Sequence, residues 1–236
     1  MVRKHIFALA VLPGMMFPAL SQAAALQASP TTVQFKQDGK GQQVWLSGTG
    51  SEPVSGQVRV YRWTQQDGRD VLTEARDLVA SPPVMQIPAG ETQVVRLINK
   101  TQAAGQEQAY RLIVNELPAG KAADKPGVRF LLKYSIPVFV PPKTASVKGG
   151  VNFTLHQDHE QQWLVADSTR NTHVRLSKLE FVSAAGKVQP LRPGLLGYVL
   201  AESHRQWAVK VPPQKGTLRA IINEGTSPET LLSVPG

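Results

Sequence analysis

Two histidines, His156 and His159, are the first side chains here whose spacing could do chemistry. A pair in H-x-x-H can share a metal ion. Zinc, however, takes three or four protein ligands, and no third one has a place beside them, so no metal site is expected. Asp158 and Glu160 lie in the same polar stretch, but one loop without a cleft does not push two carboxyl groups into separate acid and base roles. Serine is plentiful without a G-x-S-x-G turn, and neither a phosphate loop nor a paired-glycine nucleotide fingerprint occurs. Cysteine is absent, which excludes a disulfide framework, thiolate zinc sites, iron–sulfur clusters and a Cys nucleophile. His173 and His204 are isolated in sequence and read as surface or satisfied groups. With no catalytic residue, cofactor or metal expected, the chemistry left is recognition.

The elements that would position a recognition site follow a leader. Arg3 and Lys4 precede an apolar stretch from Ile6 to Leu20, then Ser21-Gln22-Ala23-Ala24-Ala25. Charged, apolar, small is the order of a secretory signal peptide, here 1–23, with cleavage after Ala23 or after Ala25. Pro13 and Pro18 interrupt the stretch, and it is shorter than the roughly 20 apolar residues of a membrane span. The mature chain is therefore expected outside the cytoplasm and not embedded in a membrane. An exported chain has no ATP supply, so any assembly work must run on folding and binding energy. The formal charge of +9 falls to +7 without Arg3 and Lys4. The remaining cations are scattered, and export argues against nucleic acid as a partner. A modest positive field steering acidic proteins fits better.

Of the 236 residues, 42% are hydrophobic, enough for a buried core, and 18 prolines and 19 glycines are spread along the chain. Period-two patterns dominate. Val33–Phe35, Val44–Leu46, Gln57–Trp63, Val94–Ile98 and Tyr110–Leu117 read as strands, with turn signals between them such as Gln66-Asp67-Gly68. No window reads as a helix longer than a turn or two, and Thr73–Leu78 is the best candidate. Pro141-Pro142-Lys143-Thr144-Ala145-Ser146 reads as a linker, because paired prolines do not continue a central strand. Strands then resume at Val151–Leu155, Trp163–Ala166, Val174–Val182, Trp207–Val211 and Leu218–Ile222, with Trp163 and Trp207 expected in the core. The fold expected is all-β: two tandem immunoglobulin-like β-sandwiches, 24–143 and 147–236, joined by a short linker.

The most informative stretch is Val128–Val140. Its even positions, Val128, Phe130, Leu132, Tyr134, Ile136, Val138 and Val140, are all apolar, and strand geometry puts them on one face. A run of this length exceeds the usual strand of about 5–6 residues, so its first half is expected to overrun its neighbours or to lie on an edge. Such a strand either covers its own core or is lent to another protein, giving main-chain hydrogen bonds and alternate side chains to a partner. Buried in a partner, each large apolar side chain contributes roughly 1.5–3 kcal/mol. An open edge also invites aggregation, and Arg129 and Lys133 are suited to guard it.

The segments SPPVMQIPAGETQVVRL (Ser81–Leu97), YRLIVNELP (Tyr110–Pro118) and YSIPVFVPP (Tyr134–Pro142), together with the leader and two immunoglobulin-like domains, resemble the PapD-like periplasmic chaperones of chaperone–usher pili. The YSIPVFVPP form is similar to the archaic, or sigma, branch, and the loop Ala119–Gly127 to the short-loop type. The resemblance implies a non-enzymatic periplasmic chaperone that completes pilin or fimbrial subunits by donor-strand complementation and delivers them to an outer-membrane usher. It places Val128, Phe130, Leu132, Tyr134 and Ile136 on the donor strand. It also implies an anchor for the subunit's C-terminal carboxylate, yet the positions that usually supply Arg and Lys carry Thr32 and Pro137, neither able to donate a charge-assisted bond. Arg111, on the strand expected to pair with the donor strand, and Lys133 are the candidate substitutes, Arg111 through two parallel guanidinium bonds. Arg96 matches an Arg typical of the family and reads as half of a structural ion pair. A second copy of the chain could cap the exposed strand in a dimer. The competing readings are a two-domain immunoglobulin-like adhesin or structural surface protein and, more distantly, a carbohydrate-binding or hydrolytic periplasmic protein.

Overall fold

The computed structural model describes residues 26–101, 104–118, 130–144 and 146–236. The expected leader, the loop 119–127, Val128 and Arg129 lie outside the described residues. Everything regular within them is strand. The first ten are β1 (Leu26–Ser29), β2 (Val33–Gln34), β3 (Gly41–Gly48), β4 (Val54–Gln66), β5 (Arg69–Glu74), β6 (Leu78–Ser81), β7 (Val84–Ile87), β8 (Thr92–Asn99), β9 (Gln108–Leu117) and β10 (Lys133–Val140). They form a sheet in the order β1-β3-β8-β6 packed on a second in the order β2-β10-β9-β4-β5, with β7 also on β4. The core between them holds Leu46, Leu97, Tyr110, Leu112, Ile136 and Val138. Thr73–Leu78 is not helical. It ends β5 and begins β6, because Leu78 is drawn into that core while its neighbours pair with strands on either side.

The remaining seven are β11 (Val151–Asp158), β12 (Gln161–Ser168), β13 (Val174–Ser183), β14 (Val188–Val199), β15 (His204–Val209), β16 (Gly216–Ile222) and β17 (Glu229–Val234). They make a β11-β12-β15 sheet facing a β14-β13-β16-β17 sheet. Trp207 lies in that core, with Leu164, Phe181 and Leu218. Trp163 does not. It precedes the buried Leu164, so alternation turns its ring to the other face, opposite His156 and Ala208. Strand β14 is hard to see in sequence because Pro190, Pro193 and Gly194 interrupt it. Its bulged register on β13 and its place at a sheet edge accommodate them.

Candidate functional site

Strand β10 pairs with β9 along its whole length, Lys133 opposite Asn115 through Val140 opposite Gln108. Its other edge meets only the two residues of β2, Val138 beside Val33 and Phe139 beside Gln34, extended by the Phe35 amide donating to the Phe139 carbonyl at 2.9 Å. Among the described residues no strand covers that edge over Lys133–Pro137. The chain causes this itself: after β1 it leaves the facing sheet at Pro30 and joins β10 only from Val33 onward.

The strand is shorter than the sequence reading of Val128–Val140. It begins at Lys133, and carried back along the register Phe130 falls opposite Pro118, just past the end of β9 at Leu117. Pairing fades through Leu132, whose carbonyl accepts from the Glu116 amide at 2.8 Å. Phe130 then stands 81% exposed and Leu131 46%. The five apolar positions read as donor residues thus separate. Val128 lies outside the described residues. Phe130 is free, Leu132 and Tyr134 are half-buried at the rim of the first core, and the Tyr134 hydroxyl donates to the Leu26 carbonyl at 2.6 Å. Ile136 is 3% exposed within the first domain's own core, and this corrects its inclusion: both sheets enclose it, so it has no surface left to lend.

The positions matching the usual carboxylate anchor come together with no charge between them. Thr32 and Pro137 each immediately precede the parallel pair Val33 and Val138. Arg111 lies directly across from Pro137 on the neighbouring strand. Its guanidinium carbon stands 3.7 Å over the Trp63 ring and 5.5 Å from the Tyr198 ring. Its one hydrogen bond among the described residues is a long one, 3.5 Å to the Ser135 carbonyl, and no carboxylate there reaches ion-pair distance. Burial pulls its pKa below the ordinary value, against the opposing influence of Tyr198 and Asp70. An Arg nevertheless stays charged near neutrality, so the site presents a cation with most of its donors unfilled. Lys133 is exposed and sits opposite Asn115, four residues along the ladder from Arg111. That is roughly 13 Å at strand rise, so the two candidates are not brought to one point.

Several groups fall where sequence did not place them. Arg62, Asp77 and Tyr110 form a network at one end of the first sandwich. Arg62 Nη2 donates to Asp77 and to the Tyr110 hydroxyl at 3.0 Å, and that hydroxyl donates to Asp77 at 3.0 Å. Burial, then the Asp77 bond and charge, hold the Tyr110 phenol well above its ordinary pKa, with Arg62 opposing. Arg96 makes no ion pair among the described residues. Exposed beside Trp45 on the outer face of β8, it has no acid within reach, which corrects the structural-pair reading. His156 lies on β11 rather than in a turn, and His159 pairs with its neighbour Asp158 at 2.6 Å while 93% exposed. No cluster of three metal-binding side chains occurs among the described residues.

His173 is not isolated. Its Nδ1 lies 2.6 Å from the buried Glu107 carboxylate, its backbone amide donates to the same oxygen at 2.9 Å, and its ring stacks 3.7 Å from Phe139. These contacts belong to a cluster of Trp63, Ala109, Phe139, Tyr198 and Leu200 that joins the two sandwiches beside Arg111. The only prior signal was Phe139, an odd-position apolar residue that the first core did not need.

The sequence matches the family described as pili and flagellar-assembly chaperone, PapD N-terminal domain, over residues 25–146, just over half of the chain. Among curated proteins the sequence comparison finds no match. Among solved structures, the chain is similar to one from the CsuC–CsuE chaperone–tip adhesion subunit pre-assembly complex of archaic chaperone–usher Csu pili of Acinetobacter baumannii. Identity is 26% and the TM-score 0.69, covering 90% of this chain and 99% of that one. It is also similar in fold to the YadV chaperone, at 19% identity and TM-score 0.61 over 89% of this chain and 100% of that one. A chain from the Salmonella enterica SafA pilin–SafB chaperone complex matches at 15% identity and TM-score 0.61, covering 90% and 98%. With the open strand edge, the two sandwiches and this match in hand, the chain belongs to the family of pili and flagellar-assembly chaperones that carry the PapD N-terminal domain.

Proposed function

We propose that this chaperone captures pilus subunits in the periplasm by lending them the open edge of β10 and the residues before it, and passes them to an outer-membrane usher. Phe130 and Leu132, continued by Val128, enter the subunit's unfinished core. Tyr134 lines the rim, and Arg111 holds the subunit's C-terminal carboxylate in the place of the charges missing at Thr32 and Pro137. The observation that carries this reading is the rise in exposure along the even positions, from Ile136 sealed at 3% through half-buried Tyr134 and Leu132 to Phe130, ahead of the strand, open at 81%. A strand made only to close its own sandwich has no use for a free phenylalanine three residues ahead of it. Further support comes from the similarity to the archaic Csu assembly at 26% identity, which favours the archaic branch. We further infer a leader over 1–23 and domains over 24–143 and 147–236. The leader's charged, apolar and small regions support the first, and the confinement of every sheet to β1–β10 or β11–β17 supports the second.

The test is capture from periplasm by the full chain, with identification by mass of what co-purifies. The expected product is a small β-protein short of one strand, lost in Phe130→Arg and Leu132→Arg. Equal recovery of that protein by wild type and both variants would refute the donor role.

A further inference from the structure

Arg111 is held by aromatic rings from both halves of the molecule. Trp63 comes from β4 of the first sandwich, where Tyr61 faces Arg111 across the ladder and Trp63 is its diagonal neighbour on the same face. Tyr198 comes from β14 of the second sandwich. The two rings meet edge to face at 5.4 Å, and the guanidinium lies 3.7 Å over one and 5.5 Å from the other. Gln65, two residues after Trp63 on the same strand, fixes the far ring's backbone: its Nε2 donates to the Tyr198 carbonyl at 2.8 Å and its Oε1 accepts from the Leu200 amide at 2.9 Å. The strand that carries the near ring therefore also sets the distance to the far one. A cation within about 6 Å of a ring centroid is attracted by its face, so both rings bear on where the guanidinium's fork points.

Resting on the reading of Arg111 as the carboxylate anchor, we propose that Tyr198 is a positioning residue of the capture site. With Trp63 it holds the Arg111 fork between one ring from each sandwich, so that carboxylate binding and the packing of one sandwich on the other are coupled. Moving the second sandwich away removes one ring and frees the side chain to turn. Linkage is reciprocal, so an occupied anchor in turn favours the packed arrangement of the two sandwiches. The second domain on this account contributes to recognition through a residue that never touches the subunit.

The probe is acetate, titrated against chloride at constant ionic strength into the full chain while the Arg111 Nε–H resonance is followed by NMR. In wild type that resonance shifts saturably. Tyr198→Phe, which keeps the ring, stays within twofold of wild type. Tyr198→Leu, which keeps the cluster filled but removes the ring, raises the half-saturating acetate concentration about fivefold, the size of one partly exposed cation–π contact. Leu200→Ala loosens the same cluster but keeps the Tyr198 ring, and so raises the half-saturating concentration clearly less than Tyr198→Leu does. The proposal is overturned if Tyr198→Leu binds acetate as wild type does, or if Leu200→Ala loses as much, since the effect would then belong to the interface as a whole. If acetate leaves Arg111 unmoved in wild type, the anchor assignment itself fails, and that failure is visible before any variant is made.

Discussion

At the scale of single residues, some cations hold the fold and others are left without an acid, Arg111 among them. Arg62 is engaged by Asp77 and Tyr110, whereas Arg111 has rings beside it and, among the described residues, no acid. Arg111→Ala is therefore expected to weaken subunit capture by tenfold or more, in line with the roughly 1.5–3 kcal/mol of a hydrogen bond to a charged group. Lys133→Ala, exposed and distant along the ladder, should change capture by less than about twofold, as isolated surface charges do. Titration of binding with each variant separates the two. Tyr110 gives a pH prediction. Its phenol is raised in the folded state, so the fold holds that proton more tightly than the unfolded chain does. The stabilisation is complete below the ordinary phenol value of about 10 and is lost as pH rises beyond it. Denaturant melts should show stability falling above that point in wild type and falling less steeply in Tyr110→Phe, which also loses about 1–2 kcal/mol at neutral pH from the missing hydroxyl bonds. Residue types made Arg111 a candidate; its aromatic neighbours were not legible, because Trp63 and Tyr198 are far apart in sequence and meet only through packing.

At the scale of elements, β10 serves three surroundings in turn. Its even face enters its own core from Ile136 onward, its odd face buries Pro137 and Phe139 toward the second sandwich, and its free edge opens over Lys133–Pro137. Alternation made the apolar face readable, but it cannot say where a neighbouring strand stops, and Pro118 at the end of β9 decides where the face becomes available. Hence Ile136 looked equivalent to Phe130 in sequence and is not. Two variants express the difference. Phe130→Arg should leave stability within about 0.5 kcal/mol, as expected for an exposed position, while abolishing capture. Ile136→Ala should cost about 2–5 kcal/mol through the cavity it leaves. Denaturant midpoints read alongside capture would show whether the boundary lies between them. The Asp67-Gly68 hairpin was legible for a stricter reason. Both residues take positive φ, 49° and 70°, which a two-residue turn between twisted strands requires and which Asp-Gly supplies.

At the scale of the whole molecule, the two sandwiches are joined by more than the linker. Glu107 on one side holds both the ring and the backbone amide of His173 on the other, Gln65 holds the backbone at Tyr198 and Leu200, and Arg205 reaches Gly68 and Asp70. Glu107→Ala should remove a buried acceptor from two donors and lower stability by about 1–3 kcal/mol; calorimetry is expected to show one transition in wild type and a broadened or split one in the variant as the sandwiches uncouple. Tandem sandwiches were legible from strand rhythm and the proline pair. Their mutual packing was not, since it depends on side chains such as His173 that carry no periodic signal. The account as a whole stands on one surface, the free edge of β10 and the apolar residues before it. Amide hydrogen exchange of the chaperone alone and with its captured subunit tests it most directly. The account predicts new protection concentrated over residues 130–137, with β11–β17 largely unchanged. Protection gained elsewhere while 130–137 exchanges as fast as in the free chain would contradict it.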